Sequence, residues 1–253
     1  MITCVMITQP ARLRLARLAV GDFARQTITD SELLVVHTGD AAFGSALVSD
    51  LDPTLRPRVR VHEADARLNL GALRNIATAA ATGDFVCQWD DDDRYHPLRL
   101  ELQHEALQAQ AADFCFLTDQ LHWFPQQREL YWDDWSREAY PLDFIQGTLF
   151  GRRSLMPVYP EIARGEDTGL AMDLLRGRHR IARLSDRGWC YVYVYHGGNV
   201  FSADHHAAIS ASKCYSGARL LVRETLLRAR LAEYAPRLGA LRMPWTGGGL
   251  AFE

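Results

Sequence analysis

The 253-residue chain has no stretch approaching the ~18 to 20 apolar residues needed to cross a bilayer, and no basic-then-apolar leader precedes its first apolar run. A cytoplasmic protein is the resulting expectation. The five cysteines, Cys4, Cys87, Cys115, Cys190 and Cys214, never fall at C-x-x-C spacing, which argues against zinc ribbons and dithiol redox motifs. Several sit in apolar runs, where a reduced thiol packs as a small hydrophobe. There is no run of basic residues and the formal net charge is -3, so no nucleic-acid partner is expected, although a nucleotide remains open as a small ligand. Glycine is missing after the first apolar run, where Thr8-Gln9-Pro10-Ala11-Arg12 stands. A nucleotidyltransferase, which needs a glycine-rich loop to cradle a triphosphate, is disfavoured on that ground. No internal repeat occurs.

What is present is 48% hydrophobic content in a chain long enough for one large domain with a real core. Strands are predicted at 1–8, 32–37, 58–63 and 84–89, with helices at 11–24 and 70–82 between them. Continuous apolar runs such as Leu33-Leu34-Val35-Val36 suit strands covered on both faces. The alternation predicts an α/β fold with a mostly parallel central sheet and helices on both faces, whose ligands lie beyond the carboxyl ends of the strands. A helix at 97–111, a strand at 114–119, a short strand at 148–151, a helix at 168–176 and a strand at 189–195 continue the body. Residues 120–142 are dense in aromatics and acids and read as an inserted hairpin or loop. After Ser212 a basic amphipathic helix of about twenty residues is expected, and the glycine-rich tail 243–253 reads as flexible. The helix either packs its leucines on the body and solvates its arginines, or contacts a membrane surface, which would place the protein at the inner face of the membrane, or a second copy of the chain.

The run Asp90-Asp91-Asp92-Asp93 closes the apolar stretch Phe85-Val86-Cys87-Gln88-Trp89. Four adjacent carboxylates repel, and a hard divalent cation such as Mg²⁺ or Mn²⁺ relieves that, completed by substrate phosphates and water. The alternative is a solvated acidic turn capping the next helix. A calcium loop of the EF-hand type fails, because Tyr95 takes the place of the required glycine and Arg94 that of an oxygen ligand.

Gly71-Ala72-Leu73-Arg74-Asn75, then Gly83-Asp84, then the apolar strand and the four aspartates resemble the GT-A glycosyltransferases of family 2, which carry G-x-x-R-N, A-x-G-(D/E) and D-x-D-D in this order. The resemblance covers residues 4–207. It implies a GT-A fold and a metal-dependent, inverting transfer of a sugar from a nucleotide-sugar donor to an acceptor hydroxyl, with Mn²⁺ or Mg²⁺ as cofactor. It further implies one glycosyltransferase domain at 1–211, with a donor half at 1–119 and an acceptor half at 120–211, followed by a C-terminal helix and tail at 212–253.

Carried over residue by residue, Asp90 serves the donor ribose, Asp91 stands on the donor side as a spacer, and Asp92 is the main metal ligand. Asp93 assists Asp92 or holds one of the metal's waters. A bound cation neutralises the departing diphosphate without a proton donor. Gly165-Glu166-Asp167 resembles the family's acidic pair, with Asp167 as general base and Glu166 orienting the acceptor, or the reverse. The competing reading is an acidic pair at a helix N-terminus. Arg74 is expected against the nucleotide, or simply on the surface, and Asn75 bracing its helix. His196, in Tyr195-His196-Gly197-Gly198-Asn199, is expected to touch metal or phosphate. A zinc site from His196, His205 and His206 is disfavoured, since adjacent histidines do not converge from a regular element.

The chain departs from the family at Val36-His37-Thr38-Gly39-Asp40, where an acidic pair usually reads the base. Thr8, Thr38 and a shifted Asp40 are the candidates for that role; a UDP-sugar is favoured, with the uracil preference put in doubt. Trp123, Trp132, Gln146 and Gly147 fall where the family builds its site for a glycan or other hydroxyl acceptor. The rival readings are a degenerate relative that binds nucleotide-sugar or glycan without turnover, and a non-enzymatic interaction protein using the Trp-rich segment.

Overall fold

The computed structural model describes residues 1–140 and 143–253. The chain opens with β1 (Ile2–Thr8), β2 (Ser31–His37), β3 (Val59–Glu63) and β4 (Phe85–Gln88), separated by α1 (Leu13–Ala24), α2 (Ala41–Val48) and α3 (Leu70–Ala80). The two-residue β5 (Arg94–Tyr95) and α4 (Arg99–Ala109) lead to β6 (Phe114–Leu117). A hairpin of β7 (Asp119–Phe124) and β8 (Glu129–Asp134) follows, then β9 (Phe150–Arg152), α5 (Glu166–Arg176), β10 (Ile181–Leu184) and β11 (Tyr191–Val194). The chain ends with α6 (Ala203–Lys213), α7 (Gly217–Ala232), β12 (Leu241–Trp245) and β13 (Gly248–Phe252).

Seven strands form the main sheet in the order β10-β6-β9-β4-β1-β2-β3. Its neighbours are parallel except β9, which runs antiparallel to β4 and β6. Alternation along β1 explains the two helical layers. Cys4 and Met6 join Leu33 and Val35 of β2 against α1, whereas Val5 joins Leu34 and Val36 against Leu73 and Ala77 of α3. The smaller sheet, β13-β12-β8-β7-β11-β5, stands beyond the carboxyl end of β4.

The inserted hairpin expected at 120–142 is β7–β8; Pro141 and Leu142 lie outside the described residues. The tail corrects the sequence reading. Instead of a flexible end it forms the β12–β13 hairpin, which pairs with β8 through Arg242 and Glu129 and buries Met243, Leu250 and Phe252. Gly247, at a φ of 86°, supplies the tight turn. Two helices and two strands add to the expected set: α2, α6, β5 and β10. The helix expected after Ser212 is α7, which buries Leu220, Leu227 and Leu231 and pairs Arg219 with Asp134 and Arg223 with Asp186. No helix among the described residues is long and apolar enough to cross a membrane.

His96 ties the C-terminal segment to the body. Its ring is fully buried edge-on to Trp189 and Tyr234, and its Nδ1 accepts from the Leu98 N–H at 3.1 Å. Burial, aided by the Arg230 charge, outweighs the half-exposed Glu233 carboxylate 3.2 Å from Nε2 and pushes the His96 pKa down to about 3. The folded state therefore binds fewer protons here than the unfolded one, so stability is present above the ordinary histidine value and lost as pH falls toward the folded value. Urea unfolding should show a loss of up to about 1.4 kcal/mol per pH unit below about 6 attributable to this residue. His96→Asn should flatten that slope; an unchanged slope would refute the assignment.

Candidate active site

The acidic run leaves β4 at the carboxyl edge of the main sheet, where Trp89 anchors it. That indole is fully buried, donates to the Ala19 carbonyl at 3.1 Å and stacks on Tyr95 at 3.8 Å. The four aspartates then diverge. Asp90, a quarter exposed, accepts from Arg74 at 2.9 Å and from Gln88 at 3.1 Å. Asp91 is buried and paired with Arg12 at 2.8 Å. Asp92 lies 2.9 Å from the same guanidinium and 3.1 Å from His196 Nε2. Asp93 is buried and spent on β11, accepting from the Tyr191 hydroxyl and, at 3.0 Å, from the Val194 N–H.

Their charges diverge accordingly. Burial, then the Asp92 charge, pushes Asp91 up to about 6, and burial with Asp92 and Asp90 raises Asp93 well above the carboxylate range. Burial also opposes ionisation of Asp92, but His196 and Arg12 outweigh it and hold that carboxyl below its ordinary value. Of Asp91, Asp92 and Asp93, only Asp92 is thus held below its ordinary value as an anion.

The opposite wall comes from the segment before α5, and the residues of Gly71-Ala72-Leu73-Arg74-Asn75 hold it there. A Cβ on Gly71 would stand 1.9 Å from the Pro160 carbonyl oxygen, so only glycine permits this approach. Asn75 donates to the Tyr159 carbonyl at 3.0 Å and accepts from the Tyr159 N–H at 2.7 Å, pairing with that backbone as a neighbouring strand would. Asn69 caps α3 through the Ala72 N–H and reaches the Glu161 carbonyl at 2.7 Å. Arg74 then extends from α3 to Glu166 at 2.9 Å while holding Asp90. Gly165, in the left-handed region at a φ of 74°, turns the chain into α5. Glu166 is buried, and burial raises its pKa against the lowering effect of Arg74. Asp167 is half-buried on the cleft wall and accepts from the Thr168 N–H at 2.7 Å. A Cβ on Gly147 would stand 3.8 Å from Asp90 Oδ2 and 3.9 Å from Asp167 Oδ2, so the two acidic motifs flank one point.

These walls enclose a cleft of about 410 Å³. Among the described residues no three His, Cys, Asp or Glu side chains form a ready-made metal cage. Asp92 Oδ2 and His196 Nε2 are 3.1 Å apart, about the spacing of two adjacent ligands of an octahedral Mg²⁺ or Mn²⁺. Nδ1 accepts from the Gly198 N–H at 3.2 Å, so the ring hydrogen now on Nε2 would have to move to Nδ1, giving up the Gly198 bond, before Nε2 could serve such an ion. Such ions characteristically take only one or two protein ligands and complete their shell with phosphate and water.

A model of the family described as glycosyl transferase family 2 matches residues 14–151. The chain belongs to glycosyl transferase family 2. Among solved structures it is similar to TarS of S. aureus. Residues 1–349 of TarS in complex with UDP-GlcNAc superpose with a TM-score of 0.63 at 18% identity, covering 92% of this chain and 67% of that one. The same segment in complex with UDP gives 0.61 at 16% identity, covering 92% and 79%. A longer TarS structure gives 0.61 at 18%, and there this chain spans 83% of its own length but 42% of its relative's. These likenesses establish a shared GT-A fold. A comparison with curated protein sequences returns no match.

Within this family 2 glycosyltransferase, Arg74, Asp90, Asp91, Asp92, Gln146, Gly147, Glu166 and Asp167 all line the cleft, and His196 joins it through Asp92. Other expected residues are engaged or placed elsewhere. Asp93 also lines the cleft, but each of its oxygens accepts a hydrogen bond from β11. Trp132 is fully buried with its Nε1 donating to Asp119 at 2.6 Å, so no sugar can stack on it. Trp123, half-buried, lies outside the cleft, and Trp135 lines it instead. Asp40 caps α2 by accepting from the Phe43 N–H at 2.9 Å, and neither it nor Thr38 or Thr8 lines the cleft. Arg74 is a buried bridge, not a surface arginine. The histidines do not gather as a zinc site, because His206 packs on Tyr193 and His122.

Arg12, Gln120, His122 and Tyr193 are cleft residues that sequence reasoning missed. Arg12 stood in view after β1, in a segment read for its missing glycine and for Thr8 but not for its own charge. Because Arg12 now neutralises Asp91 and Asp92, Arg12→Ala should destabilise the protein by about 1–3 kcal/mol in EDTA, the exposed side of the pair limiting the loss. The variant should also show a larger Mn²⁺-induced rise in melting temperature than the wild type. An equal or smaller rise would show that Arg12 does not compete for the cation's place.

Proposed function

We propose that this glycosyltransferase moves a sugar from a nucleoside-diphosphate sugar to an acceptor hydroxyl by a single inverting displacement, with Asp167 as the general base. The observation that carries the proposal is the approach of both Asp90 and Asp167 to Gly147, which supports a donor-side and an acceptor-side carboxylate in one cleft. UDP-sugars are the favoured donors, because the TarS segment with the same fold is captured with UDP-GlcNAc and with UDP.

Asp90, oriented by Arg74 and Gln88, would accept from donor ribose hydroxyls. Asp92 and His196 would hold Mn²⁺ or Mg²⁺, and such an ion, when bound, stabilises the charge of the departing diphosphate as a Lewis acid. Arg12 steadies Asp92 as an anion at the same point. Of the acidic pair, Glu166 is committed to Arg74, whereas Asp167 lines the cleft with no lysine or arginine paired to it among the described residues. That division favours Asp167 for taking the acceptor proton as the hydroxyl attacks the anomeric carbon, and Glu166 for positioning. Retention of both carboxylate motifs in working geometry favours turnover over a degenerate sugar-binding protein.

Asp167→Asn should leave UDP affinity within about twofold and lower transfer by about 10² to 10⁴. Near-normal transfer would exclude it as the base. Asp92→Asn should abolish the dependence of UDP affinity on Mn²⁺, read by calorimetry with and without the ion. Persistence of that dependence would move the metal site elsewhere.

A further inference from the structure

The second sheet and α6 contribute a wall to the cleft that the donor chemistry does not use. His122 on β7 is almost fully buried, with its Nδ1 3.0 Å from Asp133 Oδ2 and 3.0 Å from Ser210 Oγ. Ser210 in turn donates to the same carboxylate oxygen at 2.9 Å. A ring nitrogen facing a carboxylate carries the hydrogen, so in the neutral ring Nε2 is left as an acceptor. That Nε2 has no partner among the described residues. His206 on α6, 3% exposed, stacks on Tyr193 and meets His122 edge-on at 5.2 Å, and neither of its ring nitrogens has a partner among the described residues. Gln120, two residues before His122 and so on the same face of β7, also lines the cleft with its Oε1 unpaired. Four uncommitted polar atoms thus lie together on three neighbouring side chains of one wall. Buried polar atoms are ordinarily paired, and a cluster of exceptions within an active-site cleft calls for a ligand that supplies the partners.

We propose that His122, His206 and Gln120 form the receptor for the acceptor's hydroxyl groups, and that the acceptor presents an uncharged polyol, such as a glycosyl residue, at this wall. The inference rests on the glycosyl-transfer reading above and names its acceptor chemistry. A hydroxyl both donates and accepts, as does a neutral imidazole, so adjacent hydroxyls of a polyol match what the two rings offer. Burial, with His122 and His205 nearby, pushes His206 down to about 4, which keeps that ring neutral at neutral pH. An anion would find no cation on this wall. Among the described residues that β7, β11 and α6 bring to the cleft there is no lysine or arginine, and the Asp133 carboxylate lies directly beneath His122. Asp133 and Ser210 are positioning residues that fix the tautomer and ring of His122.

The test uses the full chain saturated with UDP and Mn²⁺, titrated with a panel of methyl glycosides and alditols, with glycerol 3-phosphate as the anionic comparison, by saturation-transfer NMR. At least one neutral polyol should bind. His122→Phe and His206→Phe, which keep a ring but remove its nitrogens, should each weaken that polyol at least tenfold, and His206→Gln should recover most of the loss, with UDP affinity within twofold throughout. Should a Phe variant fail to fold, Gln120→Met removes an uncommitted acceptor without disturbing the rings and should weaken the polyol at least threefold. The proposal is overturned if the wild type binds UDP but no neutral polyol, if the variants bind the polyol as the wild type does, if UDP and polyol weaken together, or if glycerol 3-phosphate binds more tightly. Failure of the wild type to bind UDP would count against the donor reading instead, and the polyol titration repeated without UDP would still decide the histidine assignment.

Discussion

The site depends on one buried guanidinium. Arg74, 5% exposed on α3, bonds Asp90 of the acidic run and Glu166 of the acidic pair, each at 2.9 Å, and so joins segments far apart in the chain across the cleft. Burial opposes its charge, but Asp90, Tyr159 and Glu166 more than compensate and hold it firmly as a cation. A buried ion pair adds little net stability over a well-packed apolar substitute, because desolvation offsets the attraction. Its contribution here is position. Removing the cation would leave two carboxylates facing one another in a closed space, and neither the ribose-side oxygen nor the segment that carries Asp167 would have a reason to stay in place.

The short helix sequence around Arg74 serves the same end. Gly71 admits the Pro160 carbonyl, Asn75 pairs with the backbone of Tyr159, and Asn69 reaches Glu161. Each contact is backbone-directed, so the segment before α5 is fixed whatever its side chains are, and Arg74 adds the one side-chain link that carries charge. The four aspartates are graded by the same logic of partners. Only Asp90 and Asp92 retain an exposed oxygen and a cation beside it, while Asp91 and Asp93 are driven toward neutrality by burial and by their neighbours. An electrostatic conflict on paper becomes two usable carboxylates and two that brace the turn.

Much of this was legible in the sequence where local pattern and tertiary role coincide. β1, β2 and β4 are buried on both faces and read as unbroken apolar runs; α1 and α3 bury one side and read at helical spacing. The acidic motifs could be ordered along the chain, but their meeting through Arg74 could not, since nothing local distinguishes a bridging arginine from a solvated one. α2 escaped notice because Ala41-Ala42-Phe43-Gly44-Ser45-Ala46-Leu47-Val48 is apolar or small all round and offers no contrast at a period of 3.6. Gly247-Gly248-Gly249 suggested a loose tail, yet one glycine makes the hairpin turn and Gly248 packs beneath Trp245. Trp132 illustrates the limit on the acceptor side. Along β8 Leu130 and Trp132 face the core, while Tyr131 and Asp133 face away from it, and the aromatic count alone could not say which tryptophan a sugar would meet. His122 was missed, and His206 weighed only as a zinc ligand, for the same reason, because their juxtaposition arises only when α6 closes on the β7–β11 sheet.

A double-mutant cycle between Arg74→Met and Glu166→Gln, read as urea unfolding free energies at neutral pH, tests the central claim most directly. If Arg74 joins the two walls, the two substitutions should be strongly non-additive, with a coupling of about 2 kcal/mol or more. Additivity within about 0.5 kcal/mol would mean that the two side chains do not depend on one another, and would contradict the account of how this cleft is held together.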